Sequence, residues 1–64
     1  MDHNSSQLRN IIKSYIKSSP GITFDSLFVI TSQVMKVQVI DFARILNQML
    51  FEKDVKIITL KYYP

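Results

Sequence analysis

The side chains able to support catalysis are few and scattered in this chain. Its 64 residues include no cysteine, one histidine and five acidic residues. The histidine, His3, lies in a polar N-terminal stretch with no second histidine to assist it. Nucleophilic, acid–base and metal chemistry each need several groups held together, and no Gly-rich phosphate loop is visible. The sequence therefore predicts that the protein is not an enzyme and uses no metal or cofactor.

Binding chemistry is better represented, and most of it falls on one predicted helix, residues 38–52. Arg44, Asn47 and Gln48 carry guanidinium and amide groups whose hydrogen bonds match the edges of guanine and adenine. Asp41 is expected to pair with Arg44 or with Lys36. The sequence thus predicts that these three polar residues face the bases of duplex DNA.

Lysines around the same helix are predicted to contact DNA phosphates. Lys36 precedes the helix, and Lys53 and Lys56 follow it, so all three could hold phosphate groups beside the bases. The formal net charge of +3 permits nucleic-acid binding without requiring it. The first predicted helix carries a further cationic stripe, which could contact successive phosphates but is interpreted first as a solvent-exposed face. The stripe consists of Arg9, Lys13 and Lys17.

A contact with another protein remains open as the alternative. Asp41 and Glu52 share the face of Arg44 and would repel phosphates, and apolar side chains flank that face. The C-terminal tail adds further apolar residues. The predicted protein-contact residues are Ile40, Ile45, Phe51, Ile58 and Leu60.

Apolar spacing predicts the elements that position these residues. A helical repeat from Leu8 to Ile16 predicts a first helix over residues 6–18, with Ser5 or Ser6 as its N-cap. Residues 1–6 are then a flexible lead, and residues 7–64 form a single domain. The predicted core comprises Leu8, Ile12, Tyr15, Ile16, Leu27, Ile30, Phe42, Leu46 and Leu50.

The middle of the chain contains clear helix boundaries and one ambiguous stretch. Pro20 and Gly21 end the first helix. Thr23 is a good N-cap for a second helix over residues 24–33. Residues 32–37 form a turn, or helix runs through them.

The tail, residues 55–63, is β-branched and aromatic and predicts either one strand or a hairpin with no recognisable turn signal. As one strand it would be apolar on both faces, with Val55 and Ile57 on one face and Ile58, Leu60 and Tyr62 on the other. Such a strand needs cover from a short paired strand through Ile22 or from a second chain. A homodimer through the C-terminal strand is one expected outcome.

This order of elements resembles a winged helix. The stretch IKSSPGITFDSL is similar to the passage from the first to the second helix in many members, and ILNQMLFEKDVKII is similar to the third helix entering the first wing strand. The resemblance covers residues 7–60. It implies an α+β, mostly α three-helix bundle with a C-terminal wing. It also implies a DNA-binding module of transcription or replication whose third helix enters the major groove.

Two departures qualify what the resemblance implies. The tail is short, so the wing is expected to be minimal or a single strand. The segment between the second and third helices is longer than the minimal turn, as in modules resembling cullin C-terminal domains and large transcription-factor subunits, which often hold proteins together. A histone-like fold with one long helix over residues 23–52 is the alternative. In either case we expect an intracellular location, cytoplasmic or nuclear, and no membrane association.

Overall fold

Three helices and a small antiparallel sheet form the protein in a computed structural model that describes residues 3–64. The helices are α1 (His3–Ser18), α2 (Phe24–Val34) and α3 (Val39–Phe51), and the strands are β1 (Ile22–Thr23), β2 (Lys56–Ile58) and β3 (Lys61–Tyr63). The predicted α+β, mostly α fold is confirmed.

The first helix begins earlier than its apolar repeat indicates. The predicted start at residue 6 is wrong, because α1 already includes His3, and Ser5 and Ser6 lie inside it instead of capping it. A nucleated helix gains one hydrogen bond per added residue, so it extends beyond the residues that face the core. Of the expected flexible lead, residues 3–6 are helical and residues 1–2 lie outside the described residues.

The break after α1 uses the only glycine of the chain. Gly21 has φ of 89°, a conformation that costs glycine little and other residues more. Its N–H donates to the carbonyl of Tyr62 at 2.8 Å, which ties the break to β3. Thr23 then caps α2 as predicted, because its Oγ1 accepts a hydrogen bond from the N–H of Ser26 at 3.3 Å.

The second and third helices are separate. The chain leaves the helix at Met35 and re-enters it at Val39, and α2 and α3 are bent by 116° relative to each other. Met35 and Val37 in this connection pack against the core. The continuous helix on which the histone-like alternative depends is therefore not formed.

The core lies between the three helices and the inner face of the sheet. Of the predicted core residues, Tyr15 and Leu50 are only partly buried against it, and Ile30 is half-buried. Phe24 and Phe28 of α2 each pack edge-to-face on Phe42 of α3, with ring centroids 5.2 Å apart. The buried apolar residues are Leu8, Ile12, Ile16, Leu27, Phe42, Ile45, Leu46, Met49, Val55 and Tyr62.

The buried face of α3 is rotated from the predicted one. Ile45, predicted to contact a protein partner, is only 7% exposed and belongs to the core, whereas Val39 is exposed. Residues 42, 45, 46 and 49 share one helical face, which points inward. The prediction of Ile45 as a contact residue is therefore wrong.

The tail forms a hairpin and completes a three-stranded sheet in the order β1-β3-β2. Ile22 pairs with Tyr62, which is one of the two kinds of cover that the sequence left open, and Ile57 pairs with Tyr62 from the other side. The two-residue turn, Thr59-Leu60, has positive φ at both positions, 52° and 64°, as a type I′ turn requires.

This turn changes which tail residues share a face. A single strand would place Tyr62 with Ile58 and away from Val55. Across the two-residue turn, Tyr62 instead lies opposite Ile57, on the inner face, and both Val55 and Tyr62 are buried. The predicted division of the tail into two faces is therefore wrong for Tyr62, because the turn shifts the alternation.

Candidate interaction surfaces

The outer face of α3 holds the three residues predicted to meet DNA bases, and all three are exposed. The guanidinium Nη2 of Arg44 lies 2.9 Å from the Oδ1 of Asp41, one turn back along the helix. Gln48 donates from Nε2 to the Oε2 of Glu52 at 3.4 Å, a long hydrogen bond. Two of the three residues thus already contact carboxylates, and the centre of this face is close to neutral.

Apolar side chains stand at both ends of the same face. Ile40 is 70% exposed and Phe51 is 87% exposed. Phe51 follows Ile40 by eleven positions, which is close to three full turns, so the two point to the same side of α3 with Arg44 and Asn47 between them. We call Ile40, Arg44, Asn47 and Phe51 the α3 stripe.

Arg9 does not belong to a free cationic face. Its guanidinium forms ion pairs with Glu52 at the end of α3 and with Asp54, whose Oδ2 lies 2.8 Å away. The hydrogen bond from Arg9 holds the pKa of Asp54 below its usual 3.8, although partial desolvation opposes this. The expected cationic stripe on α1 is therefore reduced to Lys13 and Lys17, and Arg9 joins α1 to the chain that follows α3.

The outer face of the hairpin carries a second group of candidate residues. Lys56 lies opposite Tyr63 and Ile58 lies opposite Lys61, so the two lysines are diagonal neighbours on one face. In the part of the chain that the structure describes, no carboxylate lies within salt-bridge distance of either lysine. We call Lys56, Ile58, Lys61 and Tyr63 the hairpin face.

Sequence reasoning missed Lys61 and Tyr63 as members of this surface. Their partnership with Lys56 and Ile58 depends on the position of the turn, and Thr-Leu is not a recognised sequence for a two-residue hairpin. Leu60, predicted as a protein-contact residue, is 78% exposed at the tip of the turn.

Lys36 and Lys53, predicted to hold phosphates, are both exposed; Lys36 precedes α3 and Lys53 follows it. Lys53 has φ of 64° and occupies the position after the helix cap, where the left-handed conformation closes the last turn. The N–H of Lys53 donates to the carbonyl of Leu50, and the N–H of Asp54 donates to the carbonyl of Met49. These are the two hydrogen bonds of a Schellman motif. This motif directs the chain from α3 into β2.

Comparisons of this chain with protein-family profiles, curated proteins and solved structures find no match. Within residues 3–64, no single helix is long and apolar enough to cross a bilayer, although α2 and α3 together reach that length despite their bend. The described residues bring no group of three or more His, Asp or Glu side chains into a metal-binding arrangement.

Proposed function

We propose that this chain is a non-catalytic protein-interaction module of winged-helix type, which docks through the α3 stripe. The observation that carries the proposal is the exposure of Ile40 and Phe51 at the two ends of one helix face. Both side chains are more exposed than Val29 on α2 (52%), and together on one helix face they would serve as the apolar anchors of a docking surface.

The chemistry between these two residues supports the same conclusion. Arg44 is paired with Asp41, so the middle of the stripe carries little net charge. Protein interfaces combine apolar anchors with a polar rim, whereas a helix that reads DNA meets a polyanion. Full burial of Phe51 and Ile40 would contribute about 1.5–3 kcal/mol each before the costs of association.

The arrangement of elements supports the winged-helix part of the proposal. A first helix leads through β1 to two helices joined by a short connection, and α3 is followed by the hairpin β2–β3. This is the order that the sequence resemblance implies, with a minimal wing. A module of this kind would work inside the cell, in the cytoplasm or nucleus, as part of a larger assembly.

Site-directed photocrosslinking in the cells of origin tests this proposal. A photoreactive phenylalanine analogue is placed at position 51 or position 40, and at Val29 as a matched control, because Val29 is also exposed but lies on α2. Positions 40 and 51 should yield the same crosslinked partner, and position 29 should not. Equal crosslinking from all three positions, or none from the stripe, would contradict docking through α3.

DNA binding is the second candidate, and a specific observation favours it. Three lysines follow α3, namely Lys53, Lys56 and Lys61. Among the described residues they have no carboxylate partner, and they lie where a wing would contact phosphates. Arg44 and Gln48 would have to leave Asp41 and Glu52 to reach bases. Exposed pairs of this type stabilise by only about 0.2–1 kcal/mol, so their rupture is inexpensive.

A salt titration of duplex-DNA binding distinguishes the two candidates. If the lysines hold phosphates, Lys56→Ala should weaken binding to all sequences alike and reduce the salt slope by about 0.9. Arg44→Ala should cost about 1–3 kcal/mol and relax preference at one base position. No binding at low salt would eliminate the DNA candidate, since even non-specific contacts are strong under that condition.

A further inference from the structure

The strand β2 leaves one edge of the sheet open. In the order β1-β3-β2 it is terminal, and no other strand of residues 3–64 pairs with its outer side. Ile58 and Lys61 flank the turn, so the carbonyl of Ile58 accepts from the N–H of Lys61. Antiparallel pairs alternate between bonded and non-bonded, so the N–H and C=O of Ile57 point away from β3.

A hydrogen bond elsewhere in the sheet agrees with this alternation. Tyr62 is the cross-strand partner of Ile57, and its carbonyl accepts from Gly21 on the β1 side. Because this carbonyl points toward β1, it points away from β2, as a non-bonded Ile57–Tyr62 pair requires. The backbone groups of Ile57 are therefore available to another chain.

The side chain of Ile57 is also incompletely covered. Ile57 and Tyr62 lie side by side on the inner face, yet Tyr62 is 6% exposed and Ile57 is 44% exposed. α1 packs against β3, whereas every residue of β2 is exposed. A strand added beside β2 would place an apolar side chain next to Ile57 and extend the core over it.

The charge of the hairpin face indicates what kind of strand fits. Lys56 and Lys61 have no carboxylate partner among residues 3–64, and the nearby Asp54 is bound to Arg9. In an added strand, the apolar residue beside Ile57 points to the inner face. The residues directly before and after it point to the outer face, where they lie beside Lys56 and Ile58. Acidic residues at those two positions would meet the lysines. A second copy of this chain would bring two more lysines to the same face.

We infer that β2 is a docking edge for an extended acidic segment of a partner protein, added as a fourth strand with an acidic–apolar–acidic pattern. The apolar residue covers Ile57, the acidic residues face the lysines, and the backbone groups of Ile57 are paired. This inference rests on the proposed function in that the chain binds protein, but it uses a surface separate from the α3 stripe.

Nuclear magnetic resonance with the whole chain and two short synthetic peptides tests the inference. One peptide alternates glutamate and valine, and the matched control alternates lysine and valine. The glutamate peptide should shift the amide signals of β2 and slow exchange of the Ile57 amide by roughly tenfold or more at saturation. The lysine peptide should bind about tenfold more weakly or less, because like charges face each other.

Two substitutions separate strand addition from simple charge attraction. Ile57→Pro removes the outward N–H without touching the bonded pairs of the ladder, so it should abolish binding, while Ile57→Val should retain it. Lys56→Glu should shift preference toward the lysine peptide and provides an independent readout if the proline variant unfolds.

The contrary outcomes are distinct. Binding that survives Ile57→Pro in the folded protein, or shifts confined to the α3 stripe, would overturn the docking edge; the latter would leave the proposed function standing. Protection of Ile57 that grows with protein concentration alone would show a second copy on this edge and would also overturn the inference. Absence of β2 shifts at millimolar peptide would do the same.

Discussion

The hairpin turn is the place where a single substitution should make the protein more stable. Leu60 has φ of 64°, in the left-handed region, and its side chain is mostly in solvent. An L-residue in that region costs about 1–2 kcal/mol. Glycine removes this cost but loses about 0.5–1 kcal/mol through its freer unfolded chain. Leu60→Gly should therefore raise the free energy of unfolding by about 1 kcal/mol.

Thermal unfolding followed by circular dichroism measures the effect. For a domain of this size, a gain of 1 kcal/mol should raise Tm by about 4–8 °C. Leu60→Ala is the matched control, because it shortens the side chain but keeps the Cβ that disfavours positive φ. Adding Thr59→Asn should raise Tm further, since Asn-Gly is the preferred pair for this turn. An equal Tm for the glycine and alanine variants would show that the turn is not strained as described.

The other predictions concern the core, a buried hydroxyl and one ion pair. Leu46→Ala should cost about 2–5 kcal/mol in urea unfolding, and a near-native midpoint would refute the orientation of α3. Thr31→Val should stabilise by about 1–3 kcal/mol, because the buried Thr31 Oγ1 has no hydrogen-bond partner among the described residues; a loss of stability would reveal one. The pKa of Asp54 is lowered in the folded protein, so its stabilising effect is present above 3.8 and is lost as pH falls below that value. As pH falls below 3.8, the urea midpoint of the wild type should therefore fall more steeply than the urea midpoint of Arg9→Gln. Parallel plots of midpoint against pH would contradict the pairing of Arg9 with Asp54.

The helices α1 and α2 could be predicted from the sequence because their signals are local. The apolar repeat around Leu8 and Ile16 marks α1, and Pro20-Gly21 ends it through backbone geometry alone. Thr23 caps the start of α2 by accepting a hydrogen bond from a residue only three positions along the chain. None of these features depends on residues distant in the sequence.

The buried face of α3 was predicted less accurately, and the composition of the helix explains why. Most residues of α3 are apolar, so several faces fit a helical repeat almost equally well. Packing of Phe42 between Phe24 and Phe28 selects one face and buries Ile45. That selection leaves Ile40 and Phe51 outside, and it decides which residues of the candidate surface are available.

Local signals in the sequence account for the helical segments, the break at Gly21, the cap at Thr23 and the strand character of the tail, because each follows from residues within one or two turns of chain. The separation of α2 from α3, the hairpin, the open edge at Ile57 and the ion pair between Arg9 and Asp54 depend instead on tertiary contacts. These features join residues far apart in the sequence or place ordinary residues at positive φ. Their stability comes from the assembled core, which can hold Thr59 and Leu60 in a turn that their own conformational preferences disfavour.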